Sequence, residues 1–261
     1  MRGAGKFVAA LSLCAAQAGA ACERPVYLTF DTGHMGVAPH IAQVLARQQV
    51  RVTFFAAQEK TREGDGTLGE HWASWWRARA REGHEFASHT WDHAYWRGDA
   101  AGGGFRIRPS SGAQAGQDLR WQAHDYCANL NQASRRLQQI TGQAPLPLFR
   151  APGGKHSAAL LAAAQACGYR HAGWADAGFL GDELPSDKYP NDRLLAQALE
   201  RVRPGDILMA HLGIWSRQDP WAPAVLEPLI EGLKARGLCF ATLREHPAYR
   251  DWVQTHALSL Q

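Results

Sequence analysis

The sequence predicts an α/β fold: an irregular (β/α)7-type barrel of parallel strands in a single domain. Three observations lead there. Short apolar segments alternate with longer segments of helical spacing along most of the chain. No internal repeat and no linker divides it. Polar residues suited to catalysis recur where the apolar segments end, and parallel-strand folds carry their sites at the carboxyl ends of strands.

Taken in order, "VYLTF" is a strand that ends at Asp31, and "APHIAQVLARQQ" has helical spacing. "RVTFFA" is a strand, "EHWASWWRARAREG" a helix stopped by Gly83, and "HEFASH" a strand that delivers His89. A Gly- and Ser-rich loop is expected from Gly98 to Gly116, followed by a long helix over 118–141. "PLFR" and "YRHAGW" read as strands on either side of the helix "HSAALLAAAQACG". The helix "NDRLLAQALERV" carries an Asn at its start as a cap. The strand "DILMAH" ends at His211. The helix "APAVLEPLIEGLKARG" and a last strand, "CFATL", complete the pattern. On the helix bearing Trp72, Trp75 and Trp76, core packing is expected for at least two of the three.

The N-terminus has a different composition. "MRGAGK" is basic, "FVAALSLCAAQ" is a short apolar run, and "AGA" is a small-residue cleavage site. Residues 1–20 therefore read as a secretory signal peptide cut after Ala20, with residues 21–261 as the mature domain in a secreted or periplasmic location. The apolar run is too short to span a bilayer, and no transmembrane segment is expected after cleavage. The formal charge of +4 falls to +2 without the first twenty residues, and no basic helix or tail is present, so nucleic acid is not an expected partner. Cleavage leaves Cys22, Cys127, Cys167 and Cys239. A barrel that brings its ends together would pair Cys22 with Cys239 and leave Cys127 with Cys167. Four free buried thiols are the alternative.

The candidate site residues are Asp31, His89, Arg150, Asp176 and His211, each closing a strand or following one. In "SHTWDH", His89 and His93 are four apart, one helical turn, so both imidazoles can face one divalent metal, expected to be zinc. Asp31 offers a carboxylate that can take a proton from a water activated by that metal. In "FRAPGG", Arg150 is placed to hold Asp31 by a two-pronged hydrogen bond, and the tight turn brings the Gly153 N–H near the site for an oxyanion. Asp176 in "GWADAG" and His211 in "LMAHLG" form a carboxylate–imidazole pair suited to protonating an amine leaving group.

The ordered blocks "TFD-x-G", "SHTWDH", "RAPGG", "WAD" and a His after an apolar strand resemble the polysaccharide deacetylase family, the carbohydrate esterases with a NodB homology domain. The resemblance covers roughly residues 25–243. It implies a distorted barrel, a divalent metal and removal of N-acetyl groups from an amino-sugar polymer. Residue by residue, it implies Asp31 as base, His89 and His93 as metal ligands, Arg150 as the tether of the base, and Asp176 with His211 as the acid pair. Trp174 and Met209 fall where the family lines its acetyl pocket. Thr32 is the departure, because the family has a second Asp there as third metal ligand. Three outcomes follow from the residues: another group such as His34, Asp31 or a water completes the shell; the two histidines bind metal weakly; or the chain is a metal-poor, non-catalytic glycan-binding protein on the same scaffold.

Overall fold

The strand β1 (Pro25–Asp31) lies at the centre of the architecture, and six of its seven residues are buried. A strand covered on both faces reads as a near-continuous apolar run, and "VYLTF" is one. The computed structural model describes residues 22–258; the signal peptide expected over 1–20 lies outside them. β1 is followed by α1 (Ala38–Arg47), β2 (Thr53–Ala56), α2 (Glu70–Arg81) and β3 (Glu85–Ser88). An excursion, β4 (Ala94–Asp99), β5 (Phe105–Pro109) and β6 (Leu119–Trp121), precedes the long helix α3 (Ala123–Thr141). Then come β7 (Leu148–Phe149), α4 (Ala158–Ala166), β8 (Arg170–His171), α5 (Asn191–Arg201), β9 (Ile207–His211), α6 (Glu227–Ala235), β10 (Cys239–Phe240) and α7 (Arg250–Thr255).

β1, β2, β3, β7, β8, β9 and β10 form one sheet of seven parallel strands. The sheet curls into an irregular barrel, as the sequence predicts. Its gap between β8 and β9 is bridged by residues 175–180: the Ala175 N–H donates to Ile207 O, and Leu180 N–H to Met209 O. The core on the outer face packs α2 against the sheet. Trp76 is fully buried and donates its indole N–H to Thr67 O, Trp72 is nearly buried, and Trp75 stands edge-on to Phe54.

Three expectations are corrected. Gly98–Gly116 is not a loop. β4 and β5 pair antiparallel across a turn in which Gly102, Gly103 and Gly104 all have positive φ, and β6 completes a second, three-stranded sheet. The alternation Phe105, Ile107, Pro109 buried against Arg106, Arg108 exposed is the period-two signal of a half-buried strand. The long helix consequently starts at Ala123 rather than 118, where Gln122 and Asp125 form a reciprocal cap. Asn191 is not a cap; its amide donates to Asp219 and its oxygen accepts from the buried Arg217.

Both disulfides form as the barrel argument pairs them, Cys22–Cys239 joining the first strand to the last and Cys127–Cys167 joining α3 to the end of α4. No helix among the described residues is long and apolar enough to cross a membrane. The Cys127–Cys167 bond closes 40 residues. Replacing both cysteines with alanine is expected to lower stability by about 2–4 kcal/mol, chiefly by freeing the unfolded chain, as read from urea denaturation without reductant.

Candidate active site

Strand register brings the site together. Asp31 and His211 are paired positions on the adjacent strands β1 and β9, so both side chains leave the sheet on the same face at the same height. Ser88 pairs with Phe149, so the residues that follow, His89 and Arg150, emerge side by side. The His89 Nδ1 lies 2.9 Å from the Arg150 carbonyl.

Asp31 is 2% exposed and Arg150 wholly buried. Arg150 donates from Nη1 to Asp31 Oδ1 at 2.7 Å and to Thr29 Oγ1 at 2.9 Å. Its Nε and Nη2 donate to the carbonyls of Ala172 and Gly173, and its guanidinium lies 4.1 Å from the centre of the Phe55 ring. The expected two-pronged clamp is thus a single prong on Asp31, because the other donors fasten the barrel wall. Burial alone raises the Asp31 pKa, but the charge of Arg150, aided by His89 and His211, outweighs it and holds the carboxyl below its ordinary range.

The two metal-candidate histidines do not share a helix turn. The chain from His89 to His93 is an irregular loop with Thr90 and His93 both at positive φ. It is held by Asn129 of α3, whose side-chain oxygen accepts from the N–H groups of Trp91 and Asp92, and by the Thr90 hydroxyl, which accepts from Ala94 N–H. The two rings nevertheless converge, with centroids 4.8 Å apart. His89 Nδ1 faces a carbonyl and so carries the proton, leaving the Nε2 lone pair free. His93 Nδ1 lies 2.6 Å from Ser110 Oγ, and that hydroxyl donates to the His93 carbonyl, so the imidazole donates to it and again leaves Nε2 as acceptor. Burial pushes the His89 pKa down to about 4, keeping the ring neutral and available as a ligand.

The Asp176–His211 pair is corrected. Asp176 is exposed, and the carboxylate on His211 is Asp182. His211 Nδ1 lies 3.1 Å from Asp182 Oδ1, and Asp182 Oδ2 accepts the His211 backbone N–H at 2.7 Å. The reason is register. Ala175 is level with Ile207 at the start of β9, and Phe179 with Met209. Asp176 is therefore about four strand residues, roughly 13 Å, short of the mouth, whereas Asp182 arrives beside His211. Burial lowers the His211 pKa, but Asp182, with Asp31 and Glu183, more than reverses this and raises it to about 9.

Asp31, His89, His93 and His211 line one cavity of about 130 Å³, with Gly153, Trp174 and Met209 on its walls. It also holds Thr32, Glu59, Tyr95 and Glu183, and Trp215 stands 57% exposed at its rim. Sequence reasoning missed Glu59, although it follows a strand end as Asp31 does. Asp182 and Glu183 left no such signal, since they follow an irregular segment. Thr32 points inward, where its hydroxyl accepts the Ala57 N–H at 3.1 Å. His34 is not among these groups; it lines an adjoining cavity with Arg62 and Arg217 and accepts the Gly36 N–H.

Residues 18–172, more than half of the chain, match the polysaccharide deacetylase family. The chain belongs to that family. Its class is that of a hydrolase acting on carbon–nitrogen bonds other than peptide bonds. A chitooligosaccharide deacetylase of Azorhizobium caulinodans is 25% identical over 228 residues, 84% of this chain and 92% of the relative. A family 4 carbohydrate esterase from Streptomyces lividans, solved with acetate, superimposes with a TM-score of 0.62 at 20% identity, over 91% of this chain and 98% of that one. A family 4 pseudoenzyme from Bacillus anthracis superimposes with a TM-score of 0.59 at 18% identity, over 85% of this chain and 65% of that one. Both structural likenesses show the barrel itself.

The family generally uses a divalent metal, and the donors in the cavity suit one. Two imidazoles offer Nε2 lone pairs, and the Glu59 Oε2 is buried with no hydrogen-bond partner. Among the described residues, no group of three or more His, Cys, Asp or Glu side chains is placed so that it could hold a metal ion.

Arg150→Met is expected to leave the Asp31 charge buried and unpaired. The expected loss of stability is about 3–5 kcal/mol in urea denaturation, far above that of an exposed arginine such as Arg97.

Proposed function

We propose that this protein is an exported, divalent-metal-dependent deacetylase that releases acetate from an N-acetylated amino-sugar polymer such as peptidoglycan, chitin-like chains or an exopolysaccharide. The observation that carries this reading is one cavity with an ionised, Arg-held carboxylate on one wall and a carboxylate-held imidazole beside it. The two disulfides support a location in an oxidising compartment, with residues 1–20 removed as a signal peptide.

His89 and His93 would hold the cation, proposed as zinc, which when bound polarises a carbonyl and makes a neighbouring water more acidic. Asp31, kept charged by Arg150, accepts a proton from the attacking water. The Gly153 N–H is offered to the developing negative charge on the carbonyl oxygen. Trp174 and Met209 wall the space for the acetyl methyl. His211, protonated at neutral pH by its pairing with Asp182, donates to the departing amine. Water and the acetamide thus become acetate and a free amine. Trp215 at the rim presents an aromatic face for a sugar ring.

Acetate release from chitooligosaccharides and from peptidoglycan is expected from the wild type. It should fall by at least about a hundredfold in Asp31→Asn and in His211→Ala, assayed under conditions in which each variant is shown to be folded; full activity in both variants overturns the assignment. A second expectation concerns pH. His211 must carry its proton, so kcat/KM should fall as pH rises through about 9. Asp182→Asn removes the charge that raises this pKa, so the alkaline limb moves to lower pH; an unmoved limb excludes His211 as the acid. The same pairing stabilises the fold in full below the ordinary histidine pKa of 6.5, and that stabilisation is lost as pH rises through about 9.

A further inference from the structure

We propose that Glu59 is the carboxylate metal ligand of this site, replacing the one that Thr32 cannot supply. The proposal rests on the reading that His89 and His93 hold a divalent cation. It places the ligand in the segment that follows β2 instead of directly after β1.

Thr32 is already committed. Its side chain is buried, and its hydroxyl accepts the Ala57 N–H at the end of β2. Asp31 is committed through one oxygen: Oδ1 accepts from Arg150, while Oδ2 lies 3.6 Å from His89 Nε2. Glu59 enters the same cavity two residues beyond Ala57. Its Oε1 lies 3.8 Å from His93 Nδ1, the only ion-pair contact of Glu59 among the described residues. Its Oε2 is the only carboxylate oxygen among the described residues that is both buried and without a hydrogen-bond partner. The side chain is 18% exposed. A buried carboxylate oxygen with no donor is one that a bound cation would satisfy.

The backbone under Glu59 is rigid, as a ligand position requires. Its N–H donates to Thr67 Oγ1 at 3.0 Å, its carbonyl accepts Thr67 N–H at 3.0 Å, and the Thr67 hydroxyl bonds Ala57 O. Gln58, next to it, accepts Leu68 N–H and donates to Asp65 O. The Thr32 hydroxyl fastens the other end of this segment. Threonine at 32 is thus a support for the loop that carries the ligand. Two imidazoles with one glutamate make an N₂O set suited to zinc, with room left for a water.

The experiment is zinc binding by the untagged mature chain, titrated against a competing chelator, with metal content measured by mass spectrometry. Wild type should retain close to one zinc per chain. Glu59→Gln should bind zinc more than about a hundredfold more weakly. Thr32→Ser, which keeps the hydroxyl, should bind as wild type does. Thermal melting of the metal-free proteins provides a second readout. Glu59→Gln should be at least as stable as wild type without zinc, since the carboxylate oxygen it replaces is buried without a donor, and zinc should no longer raise its midpoint. Equal zinc affinity in wild type and Glu59→Gln overturns the Glu59 assignment and leaves the metal reading intact. A wild type that retains no zinc overturns both. A metal-free Glu59→Gln that melts well below metal-free wild type overturns the claim that the carboxylate is uncompensated.

Discussion

The Asp31 carboxylate and the Arg150 guanidinium meet 2.7 Å apart inside the barrel, and the rest of the site is arranged around that contact. Neither ion is tolerable alone at such depth. Arg150 has five N–H donors in a fixed plane, and it spends them on the carboxylate, the Thr29 hydroxyl and two carbonyls from the wall beyond β8. The same residue offers its own carbonyl to His89 Nδ1, which decides where that ring's free lone pair points. One arginine therefore sets the charge of Asp31 and the tautomer of His89. It also draws β1, β3, β7 and the segment after β8 into a fixed relation, so aiming the base and closing the barrel are a single energetic requirement.

The remaining precision comes from parallel register. Strand pairing places Asp31 beside His211 without any loop having to be ordered. Loops become important only for His93 and for the carboxylate behind His211, and in both cases the chain immobilises them with side chain to backbone hydrogen bonds. Asn129 holds the 91–92 turn from α3, and Asp182 grips both the ring and the backbone N–H of His211. A carboxylate with both oxygens engaged cannot swing away as the imidazole gains and loses its proton. The pair therefore keeps the His211 pKa raised.

What was legible in the sequence was whatever strand periodicity and strand ends encode. The seven parallel strands, Asp31, His89, Arg150 and His211 follow from reading where apolar runs stop. The illegible parts depend on irregular backbone. The segment through the 3-10 turn at Asp176–Gly178 advances only from the level of Ile207 to that of Met209 between Ala175 and Phe179, so the carboxylate nearest in sequence to a strand end was the wrong one. The β4–β5–β6 sheet was hidden by its glycines, which look like a loop by composition but act as a turn by conformation. The convergence of His89 and His93 was foreseen for a mistaken reason: the loop achieves through two positive-φ residues what a helix turn would have achieved through its pitch.

Charge balance then bears on the departure at Thr32. Around the cavity, Arg150 offsets Asp31, and protonated His211 offsets Asp182. His89 is neutral, since burial outweighs the pull of Asp31. The Glu59 carboxyl beside the two imidazoles is paired with no lysine or arginine among the described residues, and its Oε2 is buried without a donor. A site that had lost its metal would gain nothing by keeping a rigid, unpartnered carboxylate at that position, because an amide or an apolar side chain there would relieve the desolvation cost. A site that still binds a divalent ion gains both a ligand and a counter-charge from it. Moving that carboxylate from one strand end to the next keeps the charge within the same small cavity and releases position 32 to brace the new ligand's loop. Threonine is suited to that task, because its hydroxyl accepts a hydrogen bond without adding a charge to a buried strand end.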